Sequence, residues 1–323
     1  LVQKLEKDIC SFLGLKNYVS VVNGTMALQL ALNYFRDKKS NKRREVIIPS
    51  FTWAATATAV TYEGLVPIAC DIDPDTYNMD PNHLERHINE NTLAIMPVHV
   101  FGQPVDISAI EIIAQRFSVP VIYDAAHAFG AKFDGQSVLN YGDVSCVSSH
   151  ATKIFNTGEG GGIISNKQSA DVFAQSRFFG FDREGDICRS GTNAKMTEIH
   201  AALGIANMKY FSEVLRRRKD VSDRYKQNLS GTDLKFQKTT DGSNHSYFSI
   251  LFNDESKLLN IDKILKENGV YSRRYFHPSL DKFAYFDLKK CEIGSDISRR
   301  ILCLPSYSKL TDNDIDRICN LLQ

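Results

Sequence analysis

Short apolar runs alternate with helix-like segments along the first half of the chain, and this alternation constrains the fold more than any other feature. The runs are typical of buried strands, whereas apolar residues between them recur at helical spacing. Strands that alternate with helices predict a parallel sheet with helices on both faces. The predicted strands are 46–48, 65–70, 93–98, 119–123 and 144–147, and the predicted helices include 2–13, 26–32, 54–62 and 107–117.

The pattern changes in the second half of the chain. Residues 161–165 indicate a short strand that closes the sheet antiparallel, 196–229 is mostly helical, and the remainder indicates a small α+β unit. We therefore predict two domains, a large one at 1–208 and a small C-terminal one at 209–323. The other predicted elements are a polar loop at 37–44, a strand at 246–252, and helices at 261–265 and 315–322.

The bulk composition is that of an ordinary soluble globular protein. The chain has 323 residues, of which 43% are hydrophobic and 24% charged, with a formal net charge of +1. This charge gives no support for nucleic-acid binding, and the densest basic run, 216–219, is expected to be a solvated helix face. No stretch approaches the ~18 apolar residues of a membrane span, and no signal peptide opens the chain. Because Leu1 stands where Met is expected, we expect the amino terminus to be incomplete.

The cysteines and one pair of acids are the residues to consider for disulfides and metal sites. There are seven cysteines, an odd number, scattered and without a Cys-x-x-Cys pair. This pattern argues against a disulfide framework or a zinc site and predicts a cytoplasmic location. Asp71 and Asp73 resemble a metal pair, but we expect them to cap a turn because no His or third carboxylate stands out beside them.

A single lysine, Lys153, lies in residues 148–162, directly after a predicted strand. Ser148, Ser149 and Thr152 precede it, and a glycine cluster at 158–162 follows it. Hydroxyls suit phosphate oxygens, and we expect the glycines to let the backbone turn tightly beside a ligand. A lysine in this setting either neutralises a phosphate or forms an imine with an aldehyde. The residues alone leave both roles open, although the order Gly-Lys-Ser/Thr of a Walker P-loop is absent.

An acid, Asp124, ends the predicted strand 119–123. In an open α/β sheet, ligands bind beyond the carboxyl ends of the strands, where Lys153 is also expected. An acid and a lysine at this edge are what pyridoxal phosphate (PLP) chemistry needs. The lysine holds the cofactor as a Schiff base, and the carboxylate keeps the pyridine nitrogen protonated so that the ring acts as an electron sink.

Two further positions at this edge suit such a cofactor. Gly24 and Thr25 stand at the start of a predicted helix, where free N–H groups and a hydroxyl make an anion site, although a plain helix cap is the alternative. Trp53, the only tryptophan, follows the strand 46–48. A lone tryptophan is usually a core residue, but this position favours stacking on the cofactor ring.

Several motifs resemble the DegT/StrS family of PLP-dependent sugar aminotransferases, within the fold type I aspartate aminotransferase superfamily. The matching runs are 23–28, 49–53, 97–103, 124–130, 148–161 and 191–198, in family order. The resemblance implies a mostly parallel PLP-binding large domain and a smaller C-terminal α+β domain. Some relatives carry histidine in place of the lysine and are dehydratases, so Lys153 favours a transaminase. Phe178 and Phe179 depart from the polar residues that many members carry.

The resemblance also implies roles for individual residues. Lys153 is the covalent anchor and the proton shuttle, and Asp124 tunes the ring. Asn193 is expected to reach across a two-fold interface to the phosphate of the partner's cofactor, in a homodimer with shared sites; a plain helix cap is the alternative. The set expected at the cofactor is Gly24, Thr25, Trp53, Asp124, His127 (near the ring and its hydroxyl), Ser148 (at the phosphate), Lys153 and Asn193.

The expected reaction is amino transfer from glutamate to a nucleotide-linked keto-deoxy sugar. Residues 271–278 most resemble the branch that aminates C4 of dTDP-4-keto-6-deoxyglucose, which serves O-antigen or other glycan synthesis. Amination at C3 is the runner-up. Two further functions stay open, a PLP enzyme that acts on an amino acid, such as a lyase, and a PLP-binding regulator. Within this segment, Arg273 and Arg274 are either part of a polar connector or contacts for the diphosphate or sugar.

Overall fold

The computed structural model describes residues 1–37 and 42–322, so half of the polar loop predicted at 37–44, residues 38–41, lies outside the described residues. The strands are β1 (Val19–Val21), β2 (Glu45–Pro49), β3 (Val66–Cys70), β4 (Thr92–Ile95), β5 (Ile122–Asp124), β6 (Lys132–Phe133), β7 (Gln136–Ser137), β8 (Val144–Ser148), β9 (Gly161–Ser165), β10 (Lys235–Phe236), β11 (Phe248–Leu251) and β12 (Ile301–Leu304). The α-helices are α1 (Val2–Leu13), α2 (Gly24–Arg36), α3 (Ala54–Tyr62), α4 (Pro81–Glu85), α5 (Ile107–Phe117), α6 (Ala170–Ser176), α7 (Glu198–Met208), α8 (Phe211–Asn228), α9 (Glu255–Glu267), α10 (Glu292–Arg300) and α11 (Asp312–Asn320). Short 3₁₀ turns lie at Val100–Gly102, Val138–Asn140, Leu280–Lys282 and Ala284–Phe286.

The central sheet is mostly parallel, as the alternation predicts. Strand β2 lies between β3 and β4 and runs parallel to both. Strand β8 pairs in parallel with β5 and antiparallel with β9, and β1 pairs antiparallel with β9 at the edge. Parallel bridges between Ile95 and Val121 and between Val98 and Asp124 join the two sets of strands. The α/β fold class and the antiparallel closure by β9 are therefore confirmed.

Apolar side chains cover both faces of this sheet. Ile47 lies in one buried core, with Leu5 of α1 and Ile110 of α5. Its neighbours Val46 and Ile48 lie in the other core, which includes residues of α2 and α3. This alternation follows from the period of two along a strand, and it explains why the strand is apolar throughout.

The C-terminal part of the chain has its own sheet and core. Strand β11 lies between β10 and β12 and pairs antiparallel with both. The buried core around this sheet draws on residues 221–322, from helices α8, α9 and α11. We refer to this region as the C-terminal unit. The exact domain boundary at 208/209 stays a prediction.

Four predicted strands, at 65–70, 93–98, 119–123 and 246–252, are shorter than expected, and β1, β6, β7, β10 and β12 were not predicted. The N–H of Val119 donates to the carbonyl of Ala114, which completes the last turn of α5, and Pro120 has no N–H to give to a ladder. Strand β5 therefore begins only at Ile122. Strand β4 likewise ends at Ile95, ahead of Pro97. The alternation did not reveal β12, which follows α10 without a turn signal.

The basic run at 216–219 is only partly the solvated face that was expected. Lys219 pairs with Asp223 on the surface, one helical turn away. Arg218, in contrast, is buried and donates to the carbonyl of Ser306. Arg218 therefore ties α8 to the loop after β12. No helix in the described ranges is long and apolar enough to cross a membrane.

The two acids after β3 act as caps. Asp73 accepts the N–H groups of Asp75 and Thr76, which is the turn role that we predicted. Asp71 is buried, and it binds a part of the chain that is distant in sequence. Its carboxylate accepts the N–H groups of Ile293 and Gly294 at 2.9 and 2.7 Å. A carboxylate beyond β3 thus caps the first turn of α10 in the C-terminal unit.

Candidate active site

A cavity of about 390 Å³ lies beyond the carboxyl ends of β2, β5 and β8. The structure brings seven of the eight predicted cofactor residues together in its wall, and Asn193 is the exception. The seven are Gly24, Thr25, Trp53, Asp124, His127, Ser148 and Lys153. Strands β2, β5 and β8 converge here because parallel neighbours end at the same edge of a sheet.

One wall of the cavity is the first turn of α2. The side chain of Asn23 accepts the N–H of Met26 at 2.8 Å, so Asn23 is the helix cap and Gly24 and Thr25 are free for another role. A Cβ on Gly24 would lie 2.8 Å from the Cβ of Ser148, which only glycine avoids. A helix N-terminus packed against a serine of the cavity wall forms a cradle for an anion.

Lys153 projects into the cavity from the loop after β8. Burial lowers the pKa of its amine to about 8, and the carboxylate of Asp124 opposes this shift. A lysine at the surface titrates near 10.4. At pH 7 about a tenth of the Lys153 amine is therefore unprotonated and can act as a nucleophile, a far larger share than for a surface lysine.

Asp124 ends β5 and is 5% exposed. Thr56 donates its hydroxyl to Oδ2 at 2.8 Å, and the N–H of Ala126 donates to Oδ1 at 3.1 Å. Burial raises the pKa of the Asp124 carboxyl, whereas these two hydrogen bonds and the nearby Lys153 lower it. The carboxylate is held in place and faces the cavity, where it can bind a protonated ring nitrogen.

His127 is buried in an aromatic stack. Its Nδ1 accepts the N–H of Phe101 at 3.3 Å, so in the neutral ring the proton is assigned to Nε2. Burial and the charge of Lys153 keep the pKa of His127 well below its usual range. The ring lies nearly parallel to Phe276, with centroids 5.8 Å apart. His127 is thus a neutral hydrogen-bond donor at the cavity wall.

The mouth of the cavity is aromatic. Trp53 is 55% exposed and meets Tyr275 edge to face, with ring centroids 5.9 Å apart. Tyr247, from the segment before β11, packs against Tyr275 and also lines the cavity. Sequence patterns did not reveal Tyr247, since it lies far along the chain from the other site residues. Stacking of Trp53 on a cofactor ring stays a prediction.

The segment 273–278 contributes its aromatic rings to the site. Phe276 lines the cavity, and Ser298 of α10 donates to its carbonyl at 2.6 Å. Arg274 instead donates to Glu255 at 2.6 Å, within the C-terminal unit. Neither Arg273 nor Arg274 is among the described residues that line the cavity. A contact of either arginine with the diphosphate or sugar stays a prediction.

The glycine cluster after Lys153 allows both a tight turn and close packing. Gly158 has a left-handed φ of 77°, as the expected turn requires. A Cβ on Gly161 would lie 2.6 Å from the carbonyl carbon of Asn23, and a Cβ on Gly162 would collide with the ring of Tyr18. These glycines let β9 pack closely against α2 and β1. Only Glu159 of the residues 158–162 lines the cavity, with its carboxylate 3.5 Å from His150.

Asn193 lies outside the cavity of its own chain. It is exposed, and its Oδ1 accepts a hydrogen bond from Lys195 at 2.6 Å. The alternative role as a helix cap is wrong, because the side chain of Thr197 caps α7. Lys195 also lies over the half-exposed ring of Phe178, 4.4 Å from its centroid.

The cavity fits pyridoxal phosphate on the chemistry of its donors. The cofactor has a phosphate, an aldehyde and a pyridine nitrogen. The cradle of Gly24, Thr25 and Ser148 suits the phosphate, and the amine of Lys153 suits the aldehyde. The carboxylate of Asp124 suits the ring nitrogen.

Comparison with known proteins agrees with this geometry. The model of the DegT/DnrJ/EryC1/StrS aminotransferase family matches residues 1–323. The dTDP-4-amino-4,6-dideoxy-D-glucose transaminase of Shigella dysenteriae is 38% identical over 332 residues, covering 99% of this chain and 89% of the relative. The UDP-2-acetamido-2-deoxy-3-oxo-D-glucuronate aminotransferase of Pseudomonas aeruginosa is 32% identical over 327 residues, covering 99% of this chain and 89% of the relative.

Solved structures show the same fold. DesI, determined in the presence of its TDP-sugar product, superposes with a TM-score of 0.89 at 31% identity and covers 99% of this chain and 83% of its own. A putative PLP-dependent aminotransferase from Bacillus cereus superposes with a TM-score of 0.91 at 30% identity, covering 99% of this chain and 90% of its own.

Proposed function

The chain belongs to the DegT/DnrJ/EryC1/StrS aminotransferase family of PLP-dependent sugar aminotransferases, and from that premise we propose a specific reaction for it. It transfers the amino group of glutamate to C4 of dTDP-4-keto-6-deoxyglucose and gives dTDP-4-amino-4,6-dideoxyglucose for a cell-surface glycan such as O-antigen. One observation carries the assignment: 38% identity, over 99% of the chain, to a transaminase named for that product.

The residues of the cavity divide the chemical work. Bound pyridoxal phosphate supplies a ring that withdraws electrons from the carbon bearing the amino group. Lys153 anchors the cofactor and then moves the proton, which a pKa of about 8 allows near neutral pH. Asp124 holds the positive charge on the ring nitrogen. Gly24 and Thr25, at the helix N-terminus, hold the phosphate.

The aromatic mouth is the proposed sugar site. Trp53 and Tyr275 meet edge to face there, and Tyr247 lies behind them. Flat rings of this kind present apolar surface with polar tips, which suits the mixed surface of a deoxy sugar. The TDP-sugar product named for DesI supports a nucleotide-linked sugar as the substrate class.

Amination at C3 is the second candidate. It is favoured by the 32% identity to a relative whose name contains a 3-oxo sugar. An amino acid lyase or a PLP-binding regulator is less well supported. The relatives at 38% and 32% identity are both named as sugar transaminases or aminotransferases.

We also propose a homodimer in which Asn193 serves the partner's site. Asn193 is exposed and lies outside its own cavity, whereas its family position implies a contact to phosphate. The half-exposed rings of Phe178 and Phe179 lie close by, under Lys195. A C2 interface over this apolar patch would repeat the contact at two equivalent sites.

The substrate assignment is tested by assay and product analysis. The purified protein with PLP and glutamate is offered dTDP-4-keto-6-deoxyglucose or its 3-keto isomer, and NMR locates the new amine. We expect turnover with the 4-keto sugar and an amine at C4. An amine at C3 would overturn the C4 assignment, and the same assay with Lys153→Ala controls for contaminating transaminases.

A further inference from the structure

Two buried threonines lie beside Asp124, and one of them, Thr52, also lines the cavity. Thr52 immediately precedes the cap of α3, and Thr56 lies in the first turn of that helix. They are 3% and 0% exposed. Burying a hydroxyl costs free energy unless it forms a hydrogen bond. The hydrogen-bond partners of these two hydroxyls therefore explain how both can be buried.

The direction of the two hydrogen bonds follows from proton counting. An ionised carboxylate only accepts, so Thr56 donates its single hydroxyl proton to Oδ2 of Asp124, at 2.8 Å. The oxygens of Thr52 and Thr56 are 3.0 Å apart, and since the proton of Thr56 is already used, Thr52 is the donor. Both O–H dipoles therefore point toward the carboxylate.

This chain of donors opposes the effect of burial on Asp124. Burial raises the pKa of the carboxyl, and the Thr56 hydrogen bond is the largest of the influences that lower it, ahead of the N–H of Ala126 and the charge of Lys153. Thr56 binds Oδ2 while Ala126 binds Oδ1, so the two donors also fix the plane of the carboxylate.

We propose that Thr56, supported by Thr52, is a positioning residue that keeps the Asp124 carboxylate ionised and oriented for the ring nitrogen of the cofactor. The inference rests on the proposed role of Asp124. It assigns a function to the threonine hydroxyls themselves, since a valine has nearly the same shape but cannot donate.

The test compares Thr56→Val with Thr56→Ser. In apoprotein labelled with ¹³C at the aspartate carboxyl, NMR follows the titration of Asp124, whose resonance is assigned by its loss in Asp124→Asn. We expect Thr56→Val to raise the pKa of Asp124 and Thr56→Ser to restore it. The loss in kcat/KM for Thr56→Val should be about tenfold or more, as for a hydrogen bond to a charged group. Thr52→Val should show a smaller effect of the same sign.

Two results would overturn the inference: an unchanged Asp124 titration in Thr56→Val, or a Thr56→Ser variant as impaired as Thr56→Val. The first shows that the hydroxyl does not act on the carboxylate, and the second shows that shape alone matters. Failure of the proposed role of Asp124 is seen separately, as near-normal turnover in Asp124→Asn, because the NMR titration needs neither cofactor nor turnover.

Discussion

The Lys153 amine and the Asp124 carboxyl lie in one cavity, and burial moves their pKa values toward each other. It lowers the pKa of the amine to about 8 and raises that of the acid. Each charge partly relieves the desolvation of the other. The pair is therefore suited to an acid–base site that works near neutral pH.

The lowered pKa of Lys153 predicts a distinct pH dependence of its reactivity. In the apoprotein, the rate of acylation of Lys153, followed by mass spectrometry, should reach half its maximum near pH 8, because above that pH the amine is mostly neutral. The same lysine in denatured protein should need a pH near the reference value of about 10.4. Identical profiles in the two states would show that the folded site leaves the amine unperturbed.

Loss of the Lys153 amine should abolish turnover. We expect Lys153→Ala to lose the absorbance of the lysine-bound cofactor, and Lys153→Arg not to restore it, since a guanidinium stays protonated and cannot form the imine. Thermal unfolding of each variant controls for misfolding. Full activity in Lys153→Ala would contradict the assignment.

Asp124→Asn should retain cofactor but lose most turnover. The change removes the negative charge that holds the ring nitrogen protonated, so kcat should fall by about two orders of magnitude or more. Equilibrium dialysis of PLP serves as the control for occupancy. Near-normal kcat with a full site would mean that another residue protonates the ring.

Subunit exchange tests the proposed role of Asn193. Lys153→Ala and Asn193→Ala are purified separately and then mixed under conditions that exchange subunits. If Asn193 serves the partner, one site of the mixed dimer receives both defects and the other receives none. Activity should then rise toward a fraction of wild type. No rise despite demonstrated exchange would mean that Asn193 serves its own chain.

Gly161→Ala should weaken cofactor binding without touching the cavity. The added Cβ would lie 2.6 Å from the carbonyl carbon of Asn23, so the first turn of α2 must shift. We expect the Kd of the apoprotein for PLP to rise by about tenfold, measured by fluorescence titration. Ser165→Ala, at the far end of β9, is the matched control. An unchanged Kd would show that the strand absorbs the strain.

Sequence patterns located the site residues that directly follow a recognisable strand. Lys153 and Asp124 follow apolar runs, and the rule for parallel sheets then places both at one edge. Thr56 gave no such signal, because a threonine in a helix shows nothing of a carboxylate 68 positions away. The glycine cluster did indicate a close approach of the backbone. For Gly161, however, the neighbour is the first turn of α2, and no local pattern specifies how β9 packs on α2.

The cap that Asp71 provides has a consequence for how this scaffold diversifies. Asp71 fixes the start of α10, and Ser298 of the same helix fixes the carbonyl of Phe276 in the cavity wall. We therefore expect substitutions along α10 to act on the cavity wall at Phe276 and to leave Lys153 and Asp124 in place. The wall at Phe276 and the Lys153–Asp124 pair are thus held by different elements, α10 for the first and the ends of β5 and β8 for the second.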